Sequence, residues 1–144
     1  MMMPDVNVLI GAFSPQQPSH AEFAESLVQL AEGPGPYGLS ELVLSAFLRI
    51  TTMPGILEPP APMETALEFL DTLVDRPNAR LLRPGLEHYR IFLRLVRESR
   101  CRGKVVADAY HAALVIEHGC ELLTADADFL RFPGLRVRHP LRPR

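Results

Sequence analysis

Four aspartates occupy positions in this 144-residue chain where a carboxylate has a chemical use. Asp5 comes directly after a predicted first strand, and Asp126 and Asp128 follow a strand predicted over residues 121–124. Asp108 interrupts a segment of small, apolar residues with the pattern of a packed helix, where an unpaired carboxylate is costly. Carboxylates about 4 Å apart repel by roughly 4 kcal/mol per pair at an effective dielectric constant near 20. A fold that gathers all four therefore needs a cation between them.

The residue types indicate which cation this would be. Oxygen ligands without His or Cys favour the hard divalent ions Mg²⁺ and Mn²⁺. Two such ions can activate a water and stabilise the leaving oxygen of a phosphodiester. Cys101 and Cys120 lack zinc-ligand spacing and are expected to be reduced thiols. His111 lies three residues after Asp108 on the alanine-rich segment, so we expect it to be packed or hydrogen-bonded rather than a catalytic base.

Each aspartate also has an ordinary structural explanation. Asp5 could cap a helix that begins at Val6, and Asp126 could cap the turn that follows it. Asp128 could be a solvated surface acid, and Asp108 could be paired with a nearby arginine. The sequence leaves open whether the four carboxylates converge in space.

The elements that would position these residues alternate between strand and helix. Helices are predicted over residues 20–32, 41–52, 63–75, 86–99 and 104–118, with Ser19 and Ser40 capping the first two and Gly119 ending the last. Strands are predicted just before Asp5 and over residues 37–39, 79–82, 121–124 and 135–138, with a helical turn over residues 126–131. Pro4 is unusual in a first strand, although an edge or a first position tolerates proline. The alternation predicts an α/β fold with a mostly parallel sheet, in which ligands bind beyond the carboxyl ends of the strands.

Composition narrows the class of protein. With 47% apolar and 22% charged residues, the chain is predicted to be a soluble protein with one domain over residues 1–144. No apolar stretch approaches the roughly 18 residues of a membrane span, and no basic region precedes the apolar N-terminal residues. We therefore expect a cytoplasmic protein without a membrane partner. The net charge is −2, but much of the basic charge lies toward the C-terminus, from Arg97 to Arg144, which permits nucleic-acid binding without predicting it.

Four motifs occur in order along nearly the whole chain, from Met2 to Leu141. They are DVNVL at residues 5–9, LVLSAFLRI at 42–50, ADAYHAAL at 107–114 and TADADF at 124–129. In order and spacing they resemble the motifs of PIN-domain ribonucleases, specifically the VapC-type toxins of toxin–antitoxin pairs. The resemblance implies a three-layer α/β/α fold and Mg²⁺-dependent endonucleolytic cleavage of RNA, with Mn²⁺ able to substitute. It also implies a cognate antitoxin that covers the site and, commonly, a homodimer.

The resemblance also assigns roles to the acidic residues. Asp5 and Asp108 match metal ligands, and Asp126 and Asp128 match a C-terminal acidic position in which either is the closer ligand. Asn7 matches a small polar residue that orients the acidic cluster, although an ordinary turn residue would look the same. The expected chemistry is in-line attack of an activated water on phosphorus, leaving 5′-phosphate and 3′-hydroxyl ends. Four basic residues are candidates for contacts with the backbone of single-stranded or loop RNA: Arg49, Arg100, Arg102 and Lys104.

The second motif departs from the family pattern, and the departure keeps other functions open. Many relatives carry a glutamate where this chain has Ala46, and we nominate Glu41, five residues earlier, in its place. The alternative is that Glu41 merely stabilises the N-terminus of its helix. The departure also favours a degenerate PIN-like domain that binds RNA or a protein partner without cleavage. A phosphoryl-transfer enzyme of another α/β fold is the third possibility, but it would need a second acid where the chain has Asn7.

Overall fold

Strands alternate with helices along residues 1–142, which are the residues that this computed structural model describes; Arg144 lies outside them. The strands are β1 Met2–Pro4, β2 Tyr37–Ser40, β3 Ala79–Leu82, β4 Glu121–Leu123 and β5 Arg136–Arg138. The helices are α1 Val6–Phe13, α2 His20–Glu32, α3 Glu41–Thr52, α4 Met63–Val74, α5 His88–Glu98 and α6 Val105–Glu117, and a 3₁₀ helix spans Ala127–Arg131. Every predicted helix and strand is present, and α1 occupies the apolar run after Asp5.

The described strands form one sheet in the order β3-β2-β1-β4-β5, and every neighbouring pair is parallel. The chain moves outward from β1 to β2 and β3 and then returns to β4 on the other side of β1. Because parallel crossovers are right-handed, this reversal places the helices that follow β1 and β2 on one face and those that follow β3 on the other. The three-layer α/β/α arrangement predicted from the sequence is therefore confirmed.

Two apolar clusters hold the layers together. Side chains of α1 to α4 pack on β2 around Tyr37, Leu39 and Phe47. Side chains of α5 and α6 pack on β1 and β4 around Met3 and Leu122. Within residues 1–142, no helix has the length and apolar character needed to cross a membrane.

Pro4 is the last residue of the central strand, so neither an edge nor a first position accounts for its tolerance. The backbone N–H of Asp5 donates to Leu123 O at 2.9 Å, and Met1 O accepts from the N–H of Glu121 at 3.0 Å. The backbone N–H and C=O groups of the odd-numbered residues of β1 therefore point toward β4, and the backbone of Pro4 points toward β2. Its missing N–H is tolerated because the β1–β2 register extends only over Met2 and Tyr37.

The two serines predicted as helix caps behave differently. The Ser40 side chain accepts a hydrogen bond from the N–H of Val43 at 3.3 Å, as predicted. Ser19 makes no side-chain cap bond and has a φ of 57°, so its assignment as a cap is wrong. The left-handed backbone at Ser19 turns the hydroxyl away from the first turn of α2.

This difference gives a first prediction. Ser40→Ala removes a buried cap and should lower the free energy of unfolding by about 1 kcal/mol. Ser19→Ala is the matched control and should change it by less than about 0.5 kcal/mol, because no cap bond is lost and Cβ remains. Urea denaturation measures both values. Equal losses in the two variants would contradict the assignment of caps.

Candidate active site

The aspartates that follow β1 and β4 lie at the point where the direction of strand addition reverses. β1 and β4 are neighbours, with Pro4 opposite Leu123, so Asp5 and the segment 124–128 leave the sheet side by side. In open parallel sheets the crevice beyond this reversal is the usual ligand site. Strand order, which the sequence does not reveal, thus brings together residues separated by about 120 positions.

The carboxylate of Asp5 is buried and held by three hydrogen bonds. Its Oδ1 accepts from the N–H of Val6 at 2.8 Å, and its Oδ2 accepts from Asn7 Nδ2 at 2.7 Å and Thr124 Oγ1 at 2.8 Å. Asp5 therefore caps α1, which is the structural role that the sequence left open for it. The side chains of Asn7 and Thr124 also orient its carboxylate. A carboxylate has about four acceptor sites, so about one remains for a further ligand.

Asn7 and Thr124 join the ends of the two strands. Asn7 Nδ2 also donates to Thr124 Oγ1 at 2.9 Å, and Asn7 Oδ1 accepts from the N–H of Ala125 at 3.1 Å. Thr124 Oγ1 accepts in turn from the N–H of Asp126 at 3.1 Å. Thr124 is the first residue of the TADADF motif, but no role was predicted for it from the sequence. The only signal was its place at the end of a predicted strand.

Asp108 lies in the first turn of α6 and faces the same crevice. It is half-buried, less enclosed than its apolar surroundings in the sequence suggested. Burial raises the pKa of its carboxyl above the usual range, and the charges of Asp126, Asp5 and Asp128 raise it further, while Arg131 lowers it. Among residues 1–142, no arginine forms an ion pair with Asp108. An ion pair with arginine, the structural alternative for Asp108, is therefore absent from this part of the chain.

The two later aspartates lie at the start of the 3₁₀ helix. Asp126 Oδ1 accepts from the N–H of Asp128 at 2.8 Å, so Asp126 does cap the turn. Asp128 Oδ1 lies 3.8 Å from the guanidinium of Arg131. Both aspartates are exposed, and each retains a carboxylate oxygen without a side-chain partner among the described residues. Arg131 supplies part of the positive charge that the cluster requires.

The donor set fits a hard divalent cation. Four carboxylates repel one another at one crevice, and the oxygen atoms of Asp108 and part of those of Asp126 are not committed to protein donors. Within the described part of the chain, no three Asp, Glu, His or Cys side chains are close enough to share one ion directly. Mg²⁺ normally keeps several waters and is held by only one or two carboxylates, so this spacing suits an ion ligated partly through water.

His111 is packed against the same cluster without a hydrogen bond. Its ring is 3% exposed and meets Phe129 edge-to-face, with ring centroids 6.0 Å apart. Neither ring nitrogen has a partner among residues 1–142, and Nε2 lies 4.0 Å from Asp5 Oδ1, too far for a hydrogen bond. Burial lowers the pKa of His111, and the charge of Asp5 opposes this shift. The ring therefore forms a wall of the site beneath Asp5.

Glu41 has an arginine partner. Its Oε1 accepts from Arg83 Nε at 2.8 Å and lies 2.8 Å from another guanidinium nitrogen of Arg83, with both side chains exposed. Glu41 is also in the first turn of α3, where its charge favours the helix. It is not among the groups whose charge shifts the pKa of Asp108. Ala46 is half-buried on α3 and offers no ligand atom.

The four candidate RNA-contact residues are all exposed: Arg49, Arg100, Arg102 and Lys104. Lys104 directly precedes α6, four residues before Asp108. Cys120 is buried and Cys101 is half-buried, and the structure records both as free thiols, as expected.

Comparison with known proteins gives the same family as the motifs. The PIN domain family matches residues 2–135. The VapC ribonuclease Mb2897 of Mycobacterium bovis is 37% identical over 141 residues, which is 98% of this chain and 96% of the relative. The structure of VapBC2 from Rickettsia felis bound to a promoter DNA fragment superposes with a TM-score of 0.70 at 16% identity, covering 95% of this chain and 96% of that one. A toxin–antitoxin complex from Klebsiella pneumoniae superposes with a TM-score of 0.64 at 18% identity, covering 97% and 98%.

Proposed function

Because this chain belongs to the PIN-domain family, we propose that it is a divalent-metal-dependent endoribonuclease and the toxin of a toxin–antitoxin pair. One observation supports the site above the others. The charges of Asp126, Asp5 and Asp128 all act on Asp108, so carboxylates from three separate segments share one electrostatic environment. A cation among these carboxylates would offset their mutual repulsion at neutral pH.

The residues of the site have distinct roles in this proposal. Asp5, Asp108 and one or both of Asp126 and Asp128 hold Mg²⁺, some of them through water, and Mn²⁺ can substitute for it. When bound, the ion supplies Lewis-acid activation of a water and of the phosphodiester. Asn7 orients Asp5 and fixes the backbone at Ala125, so the carboxylates on the two strands keep their relative positions. We place Glu41 outside the direct ligand set, in contact with the site through water, because Arg83 engages its carboxylate.

The experiment that tests this function uses purified protein and a mixed pool of cellular RNA. With Mg²⁺ we expect discrete cleavage products with 5′-phosphate and 3′-hydroxyl ends, and with EDTA we expect none. Labelling of the product ends distinguishes this chemistry from metal-independent cleavage, which leaves 2′,3′-cyclic phosphates. Products with cyclic ends, or cleavage that persists in EDTA, would contradict the proposal.

The proposal extends to the substrate, the partners and the location of the protein. Single-stranded or loop RNA is the substrate, and a cognate antitoxin covers the carboxylates when the toxin is inactive. The fold that this chain shares with a solved toxin–antitoxin complex supports the proposal of an antitoxin partner. We further propose one domain over residues 1–144, assembly as a homodimer and a cytoplasmic location. Expression of this chain with and without its adjoining reading frame tests whether that frame encodes the antitoxin.

The competing candidate is a degenerate domain that binds RNA or protein without cleaving, favoured by Ala46. Metal-dependent stability separates the two candidates. An intact site should raise the melting temperature in Mg²⁺ or Mn²⁺, since a ligand at 100 times its dissociation constant stabilises the folded state by about 2.7 kcal/mol. A domain without a metal site should show no shift. Asp108→Asn, measured in parallel, controls for metal bound elsewhere and should lose most of the shift.

Glu41 provides a graded prediction. Glu41→Gln should lower RNA cleavage by less than about ten-fold, because the loss of a contact made through water is at the weak end of outer-ligand effects. It should change the free energy of unfolding by less than about 1 kcal/mol, since its ion pair with Arg83 is exposed. The measurement is single-turnover cleavage at saturating Mg²⁺. A loss greater than about 100-fold would place Glu41 in the direct ligand set.

A further inference from the structure

A cavity of about 640 Å³ opens beside the candidate active site, on the side of β5. Its lining includes Thr124 and Asp126 of the site itself. It also includes Arg138 at the end of β5, His139 and Arg142 beyond that strand, and Leu130 of the 3₁₀ helix. Pockets of about 300–1,000 Å³ are the size that holds small ligands.

We propose that this cavity binds the nucleotide next to the scissile phosphate in a single-stranded RNA. This inference rests on the proposed function, because it takes the aspartates as the place of cleavage. The base lies against the apolar edge at Leu130, and the following phosphate lies at Arg142. The subsite thus sets the direction in which the RNA leaves the carboxylates, along β5.

The charges of the cavity fit a nucleotide more closely than they fit an anion alone. Arg138 forms two hydrogen bonds with Glu121, at 2.9 and 3.1 Å, so these opposite charges offset each other. Of the other charged side chains in the lining, Asp126 is a proposed ligand of the cation and Arg142 is the remaining arginine. Positive charge is therefore available from two separate groups once a cation is bound. A nucleotide flanked by two phosphates presents its negative charge in the same way.

The uncharged groups of the cavity fit a base and ribose. Leu130 is 71% exposed, although it is large and apolar, and contact with the face of a base would cover it. Nδ1 of His139 accepts from the N–H of Leu141 at 3.2 Å, which leaves Nε2 as the ring nitrogen that carries a proton in the neutral form. The ring can therefore donate to a hydroxyl or carbonyl oxygen of the ligand.

A second cavity is larger but less suited to RNA. It has a volume of about 730 Å³ and shares Arg138, His139 and Arg142, yet its other wall carries Glu22 and Glu25 of α2. These acids would repel a phosphate, and no candidate catalytic aspartate reaches this cavity. The smaller cavity is the one that is continuous with the site.

The test begins with ligand binding in EDTA, where neither metal nor cleavage is required. Nucleoside 5′-monophosphates are titrated into ¹⁵N-labelled protein. We expect shifts of the amide signals of residues 124–130 and 137–142, and weaker binding to Arg142→Ala and Leu130→Ser. Arg80→Ala is the control, because Arg80 is an exposed arginine on β3 at the opposite edge of the sheet. Shifts confined to other residues, or equal binding by Arg142→Ala, would overturn the subsite.

Cleavage in Mg²⁺ then tests the role of the cavity in the reaction. Arg142→Ala should raise KM for RNA by about five-fold, the usual limit for an exposed ion pair, with little change in kcat. It should also reduce the slope of log affinity against log salt by about 0.7, the value for one lost phosphate contact to a single strand. An unchanged KM and slope would overturn the proposal, as would loss of antitoxin binding with RNA cleavage intact. If the wild type cleaves no RNA but the nucleotides bind in the cavity, the proposed function fails and the role of the cavity as a cleavage subsite fails with it, while the cavity remains a nucleotide-binding site.

Discussion

Asp108→Asn should reduce RNA cleavage by more than about 100-fold without lowering the stability of the fold. Loss of a residue that only orients a metal ligand commonly costs 10–100-fold, and Asp108 is placed as a ligand itself. Its carboxylate is repelled by Asp5, Asp126 and Asp128, so removing its charge relieves repulsion in the folded state. The free energy of unfolding in EDTA should therefore be unchanged or raised. Single-turnover cleavage and urea denaturation measure the two quantities.

Asp71→Asn is a suitable control for the loss of one carboxylate. Asp71 is exposed on α4, away from the crevice, and its neutralisation should leave cleavage within two-fold of the wild type. If Asp108→Asn cleaves at the wild-type rate, the aspartates are not the catalytic site. If it loses activity together with several kcal/mol of stability, the carboxylate supports the fold and the repulsion argument is wrong.

Thr124→Val should impair both the reaction and the fold. The hydroxyl donates to Asp5 and accepts from Asn7 and from the N–H of Asp126, so valine removes three hydrogen bonds, while Asp5 and Asn7 keep the bond between them. We expect a loss of about 1–3 kcal/mol in the free energy of unfolding. Cleavage should fall by 10–100-fold, as for other residues that orient metal ligands. The metal concentration for half-maximal rate should rise as well.

Thr51→Val provides the matched control. Thr51 is as buried as Thr124, and its hydroxyl donates only to the carbonyl of Phe47, one turn earlier in α3. It should cost less stability than Thr124→Val and leave cleavage and its metal dependence unchanged. Equal effects of the two variants on cleavage would show that Thr124 acts only through the stability of the fold.

The fold could be predicted from the sequence because its signals are local. The caps at Ser40 and Gly119 and the spacing of apolar residues each involve a few neighbouring positions, and these placed the helices and strands close to their observed bounds. Ser19 was misassigned because residue type alone does not reveal a left-handed backbone. The tolerance of Pro4 could not be explained from the sequence, because it depends on which strand faces the proline nitrogen, and that is a property of the assembled sheet.

The site could be predicted only in part, for the same reason. The motifs identified its acidic residues through a family resemblance, whereas Thr124 is linked to Asp5 by a hydrogen bond across 119 positions. Nothing near Thr124 in the sequence indicates that contact. The ion pair between Glu41 and Arg83 likewise joins the ends of β2 and β3, and only the parallel pairing of those strands brings the two residues together.

The most direct test of the central claim is an anomalous diffraction measurement on crystals of this protein soaked in Mn²⁺. The account predicts an anomalous peak in the crevice bounded by Asp5, Asp108, Asp126 and Asp128, with waters completing its coordination, and no such peak in Asp108→Asn. A peak at another site with none in this crevice, in crystals whose packing leaves the crevice open to solvent, would contradict it.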